Sequence, residues 1–203
     1  MTTEKPKNGL HTEYFENGEW SEENYKNGKL DGKSTTWYAS GQIMYEKFYK
    51  DGKEHGDESR WNEDGQLLWV RSFKNDKYIN KSVYFKYYDN GQMKSKETFD
   101  YDGKNGKSTT WYENGQKWDE GNYKNDLMQG KWISWHEDGQ LMSEANYINS
   151  CPDGKYIQWH ENGQKKLEMN YKHGKEDGKY TEWDESGQII VQNNYKDGKL
   201  NNY

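Results

Sequence analysis

The segment WHENGQKKLEMNYKHGKEDGKY, from Trp159 to Tyr180, decides the fold because it is nearly a copy of an earlier part of the chain. Twenty-four residues upstream, the segment from Trp135 to Tyr156 reads WHEDGQLMSEANYINSCPDGKY. Both segments contain the pattern aromatic-x-x-x-Gly. Such glycines recur at intervals of 23 to 26 residues, at Gly18, Gly41, Gly65, Gly91, Gly115, Gly139, Gly163 and Gly187. A regular period of this length is typical of a repeat protein.

Each repeat is predicted to be a β-hairpin. A β-prone run such as KSTTWY, from Lys33 to Tyr38, leads into a turn that reads ENGQ or EDGQ in four of the eight copies. Asn-Gly and Asp-Gly between such runs favour a tight turn because both residues tolerate positive φ. A second run follows, and a KNGK or KDGK segment leads to the next repeat. We therefore expect an all-β fold, an elongated single-layer antiparallel sheet of about eight stacked 24-residue hairpins.

The aromatic residue four positions before each glycine is predicted to form a structural column. Neighbouring hairpins advance by about 10 Å, so equivalent side chains of successive repeats are expected to pack in a row. Full burial of a large apolar side chain contributes about 1.5–3 kcal/mol. The junction DKYINKSVYFKYY, which is two residues longer than the others, interrupts the regular period. The predicted column consists of Trp37, Trp61, Tyr87, Trp111, Trp135, Trp159 and Trp183.

The composition agrees with a core built from aromatic side chains. Charged residues make up 32% of the chain, but it contains ten Trp and eighteen Tyr, whereas disordered chains are poor in aromatic residues. The net charge of −6 disfavours direct binding of nucleic acid. The single cysteine, Cys151, excludes an internal disulfide. The polar N-terminus and the absence of any apolar stretch long enough to span a membrane favour a cytoplasmic protein, although removal of an export signal would leave the same pattern.

No catalytic residue, metal site or cofactor is predicted. His136 and His160 occupy the same repeat position, but equivalent positions lie about 10 Å apart, whereas zinc ligands lie about 2 Å from one ion. Glutamates five residues after the glycines also recur, and like environments do not produce an acid–base pair. These carboxylates, Glu23, Glu46, Glu120, Glu144 and Glu168, are expected to pair with lysines or with N–H groups of turns.

The repeat unit W-x-E-[DN]-G-Q-x-x-x-E-x-x-Y-K-[DN]-G-K-x-x-G-K resembles the MORN repeat, in the variant form common in bacteria. The segments WYENGQKWDEGNYKNDLMQGKW (Trp111 to Trp132) and WDESGQIIVQNNYKDGKL (Trp183 to Leu200) contain it clearly. The resemblance implies ribbons of antiparallel hairpins that act in scaffolding, dimerisation or partner binding, and many bacterial variants are labelled antitoxins. We expect an N-terminal tail at residues 1–8, the repeat ribbon at 9–200 and a C-terminal tail at 201–203.

Charge placement indicates where a partner binds. The three residues before the repeat glycines include ten acids in eight copies and no Lys or Arg, so one long edge of the sheet is predicted to be an acidic rim. Solubility and protection against edge pairing are the alternative explanation for these acids. The predicted partner-binding residues are Glu63, Asp64, Glu113, Glu137, Asp138, Glu161, Asp184 and Glu185, with Trp118 and Trp132 as aromatic anchors.

These features lead to two functional hypotheses. The first is a non-catalytic protein-binding module, an antitoxin-like inhibitor whose acidic rim binds a basic surface of a toxin or effector enzyme. The second is a surface protein whose aromatic clefts bind glycans or choline-like lipid headgroups, as in choline-binding hairpin repeats, which have a shorter period. Open terminal strands such as NNYKDGKLNNY (Asn193 to Tyr203) also suggest a homodimer.

Overall fold

The computed structural model describes residues 5–201, which contain eighteen β-strands and no helix. No segment of these residues is therefore a helix long and apolar enough to cross a membrane. Residues 1–4 and 202–203, parts of the predicted tails and of the predicted terminal strand, lie outside the described residues. The tail boundaries at 8 and 201 stay predictions.

The first of two compact units contains residues 5–87 and 99–101. Each of its strands pairs antiparallel with the strand before it. The strands are β1 (Gly9–Tyr14), β2 (Trp20–Lys26), β3 (Lys29–Trp37), β4 (Ile43–Lys50), β5 (Lys53–Trp61), β6 (Leu67–Lys74) and β7 (Lys77–Tyr87).

The second unit contains residues 88–98 and 102–201. It includes β8 (Met93–Asp100) up to residue 98. From β9 (Gly103–Trp111) onward its strands also pair antiparallel in chain order, and β15 (Lys175–Glu176) and β16 (Gly178–Trp183) both pair with β14 (Lys165–Lys172). The expected all-β fold of single-layer antiparallel hairpins is confirmed in each unit. The strands are β8 (Met93–Asp100), β9 (Gly103–Trp111), β10 (Lys117–Lys124), β11 (Leu127–Trp135), β12 (Leu141–Ile148), β13 (Cys151–Trp159), β14 (Lys165–Lys172), β15 (Lys175–Glu176), β16 (Gly178–Trp183), β17 (Ile189–Lys196) and β18 (Lys199–Leu200).

One face of the second unit contains its best-packed side chains. Trp132 pairs across the strands with Ala145, Ala145 with Tyr156, and Tyr156 with Met169. Trp132, Ala145 and Met169 are buried. The small Ala145 stands between the large Trp132 and Tyr156, so these side chains pack together without a second layer above them. We call this the packed face.

The opposite face contains the predicted aromatic column, because side chains alternate along a strand and Trp135 lies three residues after Trp132. We call it the column face. The seven predicted column residues are all part-buried, and each is the last residue of its strand. In the first unit Trp37 stacks on Trp20, with ring centroids 5.3 Å apart.

The column residues do not stack on one another. Aromatic ring pairs in residues 5–201 have centroids 5.0–6.2 Å apart, and none of them joins two successive column residues. Lysines lie against column rings instead, with Lys117 Nζ 5.4 Å from the centroid of Trp135 and Lys165 Nζ 5.8 Å from that of Trp183. A hairpin spacing of about 10 Å is too wide for direct ring contact, so a flexible side chain fills the gap.

The longer junction changes the column in the first unit. Tyr45 pairs with Arg60, the residue just before Trp61, whereas Trp69 pairs with Tyr84, the residue just before Phe85. Relative to β6, Phe85 therefore occupies the register position of a column residue, whereas Tyr87 ends β7 and precedes the turn at 88–91. The two extra residues lengthen β7 to eleven residues, and the Tyr87 hydroxyl donates to the carbonyl of Leu67 at 3.0 Å.

Two kinds of turn connect the strands. We call the turn that follows a column residue a column turn, and the two-residue turn between repeats a linker turn. In the column turn 112–115 only Gly115 has positive φ, at 85°, and its N–H donates to Tyr112 O. This is a type I turn followed by a glycine bulge. In the linker turns other than 101–102 both residues have positive φ, as in Asn27 at 53° and Gly28 at 73°, which is the type I′ pattern.

The tight turns predicted at the ENGQ and EDGQ segments are present, but only their glycine has positive φ. Two successive positive φ values occur instead in linker turns such as KNGK and KDGK. A glycine is required at the end of each column turn because its φ lies in the left-handed region.

Gly121 makes the packing of Trp132 possible. A Cβ atom added at Gly121 would lie 2.2 Å from Trp132 Cδ2. We predict that Gly121→Ala lowers the free energy of unfolding by about 1–3 kcal/mol, because an extra methyl group overfills the packed face. Urea denaturation measures this change. In a Trp132→Ser background the same substitution should have little further effect, and equal losses in both backgrounds would contradict this packing.

Candidate partner-binding edge

Successive column turns are joined by one repeated hydrogen bond. In the first unit the residue after one column position, Tyr38, donates its hydroxyl proton to the backbone carbonyl of the next column residue, Trp61, at 2.8 Å. In the second unit four residues do the same. The bonds run from the side chain of the first residue to the backbone carbonyl of the second, in the pairs Tyr88–Trp111 (2.7 Å), Tyr112–Trp135 (2.9 Å), His136–Trp159 (3.1 Å) and His160–Trp183 (3.0 Å). We call these bonds the turn ladder.

Asparagine side chains add a second bond between column turns of the second unit. The Nδ2 atoms of Asn90 and Asn114 donate to the carbonyls of Glu113 and Glu137, at 3.0 and 2.8 Å. Asn162 donates to the carbonyl of Glu185 at 2.7 Å. The acidic residues of these turns therefore stand on backbone that is fixed to the neighbouring repeat.

The two histidines that the sequence places at equivalent positions are members of the turn ladder. A carbonyl accepts only a donated hydrogen, so the neutral rings of His136 and His160 must hold their proton on Nε2. Each histidine thus replaces a tyrosine as the donor. Within residues 5–201 no three His, Cys, Asp or Glu side chains are grouped so that they could ligate a metal ion.

The predicted partner-binding acids lie in column turns. In the first unit Glu63 and Asp64 are exposed. In the second unit Asp184 is part-buried, and the others, Glu113, Glu137, Asp138, Glu161 and Glu185, are exposed. None of these eight acids forms an ion pair with a residue between 5 and 201.

The five recurring glutamates of the strands behave differently, because each has a lysine partner. Glu120, Glu144 and Glu168 lie 3.1, 2.9 and 2.8 Å from the amines of Lys107, Lys131 and Lys155. In the first unit Glu46 pairs with Lys33, whereas Glu23 lies on the face opposite Trp37 and pairs with Lys5. The predicted pairing of these carboxylates with lysines is confirmed. The acids of the column turns therefore carry negative charge that no lysine or arginine of residues 5–201 neutralises, and we use the term acidic rim for them.

Asp184 is held in its charged form. The Ser186 hydroxyl and the backbone N–H of Gln188 donate to its carboxylate, at 2.6 and 2.9 Å, and lower the pKa of Asp184 below its usual value. This end of the acidic rim therefore remains negative at pH values where an ordinary aspartate begins to take up a proton.

The two predicted aromatic anchors lie in different environments. Trp118 is 47% exposed, and its ring centroid lies 6.1 Å from that of Tyr112, which is part of the turn ladder. Trp132 is only 8% exposed, packs against Tyr123 and donates its Nε1 proton to Asn122 O at 3.2 Å. Trp132 thus belongs to the packed face and is not available to a partner.

Sequence reasoning missed a cleft beside the acidic rim. It has a volume of about 550 Å³ and is lined by His136, Trp159, His160, Glu161, Asn162, Lys166 and Glu185. The signal for it was the tyrosine or histidine that directly follows most of the column positions. A second cleft, of about 240 Å³ on the column face, is lined by Lys96, Thr98, Lys107, Thr109, Trp111, Lys117 and Glu120.

Comparisons with known proteins identify the repeat. The model of the MORN repeat variant matches residues 30–51, 83–101, 104–125, 128–149, 152–173 and 176–197, together more than half of the chain. A comparison with curated proteins gave no match.

Similar solved structures include "Crystal Structure of TcdB2-TccC3", which is 12% identical with a TM-score of 0.32 over 89% of this chain. "Crystal Structure of TcdB2-TccC3-Cdc42" is 11% identical with the same TM-score over 90% of this chain. This chain spans 13% of the length of each of those chains. Likeness at this level says nothing about function.

The turn ladder can be tested at Tyr112. We predict that Tyr112→Phe lowers the free energy of unfolding by about 1 kcal/mol, because the Trp135 carbonyl loses its hydroxyl donor. Tyr14→Phe is the matched control, since Tyr14 is 78% exposed and has no side-chain hydrogen bond within the described residues. Equal stabilities of the two variants in urea denaturation would rule out this role for Tyr112.

The ion pairs of the column face predict a pH dependence. Hydrogen bonds from Lys155 and Lys165 lower the pKa of Glu168 despite an opposing effect of burial. A lowered pKa contributes stability above the unfolded value of about 4.3, and this stability is lost as the pH falls through the folded value. Glu168→Gln should therefore cost about 0.5–1 kcal/mol at pH 7 and progressively less toward pH 3.

Chemical denaturation between pH 3 and pH 7 measures this difference. The control is Glu161→Gln, because the exposed Glu161 has no ion pair in residues 5–201. A stability loss for Glu168→Gln that is the same at every pH would refute the assignment.

Proposed function

Because the chain belongs to the family of MORN repeat variants, we propose that it is a repeat-based binding module that holds a protein partner and has no catalytic centre of its own. The observation that supports this best is the acidic rim, whose carboxylates have no lysine or arginine partner within the described residues. The family is generally non-catalytic, and the regular column turns repeat one environment instead of creating the unlike environments that an acid–base pair needs.

The chemistry of the rim favours a basic partner surface. In the second unit successive column turns present acids about 10 Å apart. Complementary charge on a partner accelerates association and selects against acidic proteins. The nucleic-acid groove of an enzyme has suitable lysines and arginines. We therefore propose that the partner is a toxin or effector enzyme in the cytoplasm and that this module inhibits it.

The turn ladder and the asparagine bonds favour tight recognition. A binding surface that is already rigid loses less conformational entropy when a partner docks. Trp118 lies beside this surface through its contact with Tyr112, and exposed tryptophans often contribute a large share of interface energy. We therefore include Trp118, and not Trp132, in the proposed contact surface.

The alternative hypothesis, binding of a choline-like headgroup or a glycan in an aromatic cleft, has weaker support. The cleft that contains Trp111 is lined by three lysines and one glutamate. This net positive charge repels a quaternary ammonium group, whose preferred sites are aromatic cages without cations. The positive charge of this cleft is compatible only with the second ligand class of this hypothesis, in the form of a glycan that carries a carboxylate.

The proposal predicts a selective effect of neutralising the rim. The triple variant Glu113→Gln, Glu137→Gln and Glu161→Gln should bind its protein partner at least ten-fold more weakly than wild type at about 50 mM salt, where charges are poorly screened. The measurement is affinity capture from source cells with the wild type, followed by calorimetry of each variant with the captured protein.

A matched control removes the same amount of charge elsewhere. Asp51→Asn, Asp57→Asn and Asp197→Asn replace three exposed acids outside the column turns and keep an acceptor oxygen at each position. This variant should bind as the wild type does. Equal weakening by both triple variants would show that net charge, and not the acidic rim, controls binding.

A further inference from the structure

Five linker turns contain an unfavourable arrangement of lysines. On either side of each turn two lysines face each other directly across the strands, as Lys26–Lys29, Lys50–Lys53, Lys74–Lys77, Lys172–Lys175 and Lys196–Lys199. Like charges in directly opposed positions destabilise a sheet. All ten side chains are exposed, and within residues 5–201 only Lys196 has an ion-pair partner, Asp177 at 2.9 Å.

Three of these pairs follow one another in the first unit. Backbone hydrogen bonds tie their turns to the repeat before, from Gly52 N to Leu30 O at 2.7 Å and from Asp76 N to Glu54 O at 3.0 Å. The six lysines therefore stand on fixed backbone, and the same turns include only two acids, Asp51 and Asp76. We call this surface the lysine edge.

A cleft lies within the lysine edge. It has a volume of about 440 Å³ and is lined by Lys29, Lys50, Asp51, Lys53, His55 and Asn75. The His55 ring nitrogen Nδ1 lies 3.3 Å from Asn75 Oδ1, which joins two sides of the cleft. Three amines around one carboxylate make this a concave, positively charged site, and a negatively charged group that projects from a surface fits it.

We propose that the lysine edge binds the acidic rim of the second unit of another copy of this chain. Both surfaces are built from the same repeat, so lysine pairs and acidic column turns recur at the same interval of about 10 Å. A row of three lysine pairs therefore matches a row of three column turns, here those that contain Glu113, Glu137 and Glu161.

The contact joins two different surfaces, and each copy has one of each. Association of this kind is heterologous, so it extends beyond dimers as the concentration rises. It also occupies the acidic rim, so self-association and the proposed protein partner compete for the same carboxylates. The two-residue terminal strand β18 offers few backbone groups for pairing, which makes the charged edges the better route to assembly.

Sedimentation velocity at several protein concentrations tests the inference. At about 20 mM salt the weight-average mass of the wild type should rise with concentration, and at about 300 mM salt it should return to that of a monomer, because the Debye length becomes shorter. The variant Lys29→Glu, Lys50→Glu and Lys53→Glu should stay monomeric in both buffers. The variant Glu113→Lys, Glu137→Lys and Glu161→Lys should also stay monomeric by itself.

Mixing the two reversed variants gives the decisive readout. Each variant retains one unaltered edge and one reversed edge, so the mixture should associate at low salt although neither component does. The control Lys81→Glu, Lys86→Glu and Lys179→Glu has the same net charge as the first variant but alters exposed lysines outside both the linker turns and the cleft beside the acidic rim, and it should associate as the wild type does. A mixture that stays monomeric, or a control that loses association, would overturn the proposal.

Two further outcomes also count against it. A wild type that is monomeric at 20 mM salt refutes self-association directly, without dependence on any variant. If that monomer binds inorganic polyphosphate and the Lys29, Lys50 and Lys53 reversal abolishes this binding, the occupant of the lysine edge is a phosphate polymer and not a second copy. Neither result affects the proposed binding of a protein partner, which the neutral rim variant tests separately.

Discussion

The hydrogen bond from the residue after one column position to the carbonyl of the next column residue is the contact on which the edge of this protein depends. A hairpin by itself is marginally stable in water, and a single layer leaves every hairpin partly wet. Backbone pairing holds neighbouring strands together along their length, but it does not fix the turns. The turn ladder does so with a tyrosine hydroxyl or a histidine Nε2, and it thereby places the acids of the column turns at regular intervals.

The same repeat creates two edges of opposite character. Acids of the strands are neutralised by lysines on the column face, as Glu144 is by Lys131 at 2.9 Å. Acids of the column turns and lysines of the linker turns have almost no partners within the described residues, so charge accumulates where the backbone is most firmly tied between repeats. Stability of the sheet alone does not require this separation, since opposed lysines oppose folding. The proposed recognition of charged surfaces accounts for it.

Much of the fold followed from the sequence because the period is set by local chemistry. Glycines at the ends of column turns, alternating side chains and glutamates at a constant offset predicted hairpins and lysine pairing correctly. The column rings were expected to stack, but the distance between hairpins prevents it, and Lys117 lies against Trp135 instead. Trp132 resembles a surface anchor in the sequence, and only the absence of a side chain at Gly121 on the facing strand makes room for its burial. Such pair-specific fits are not visible in a repeat pattern.

The most direct test of the turn ladder is nitrogen-15 NMR of the imidazole rings of His136 and His160 in the intact protein near pH 8. The account predicts that both rings hold their proton on Nε2, with a hydrogen-bond coupling to the carbonyl carbons of Trp159 and Trp183. Rings with the proton on Nδ1, or rings that average between both forms as free imidazole does, would contradict it.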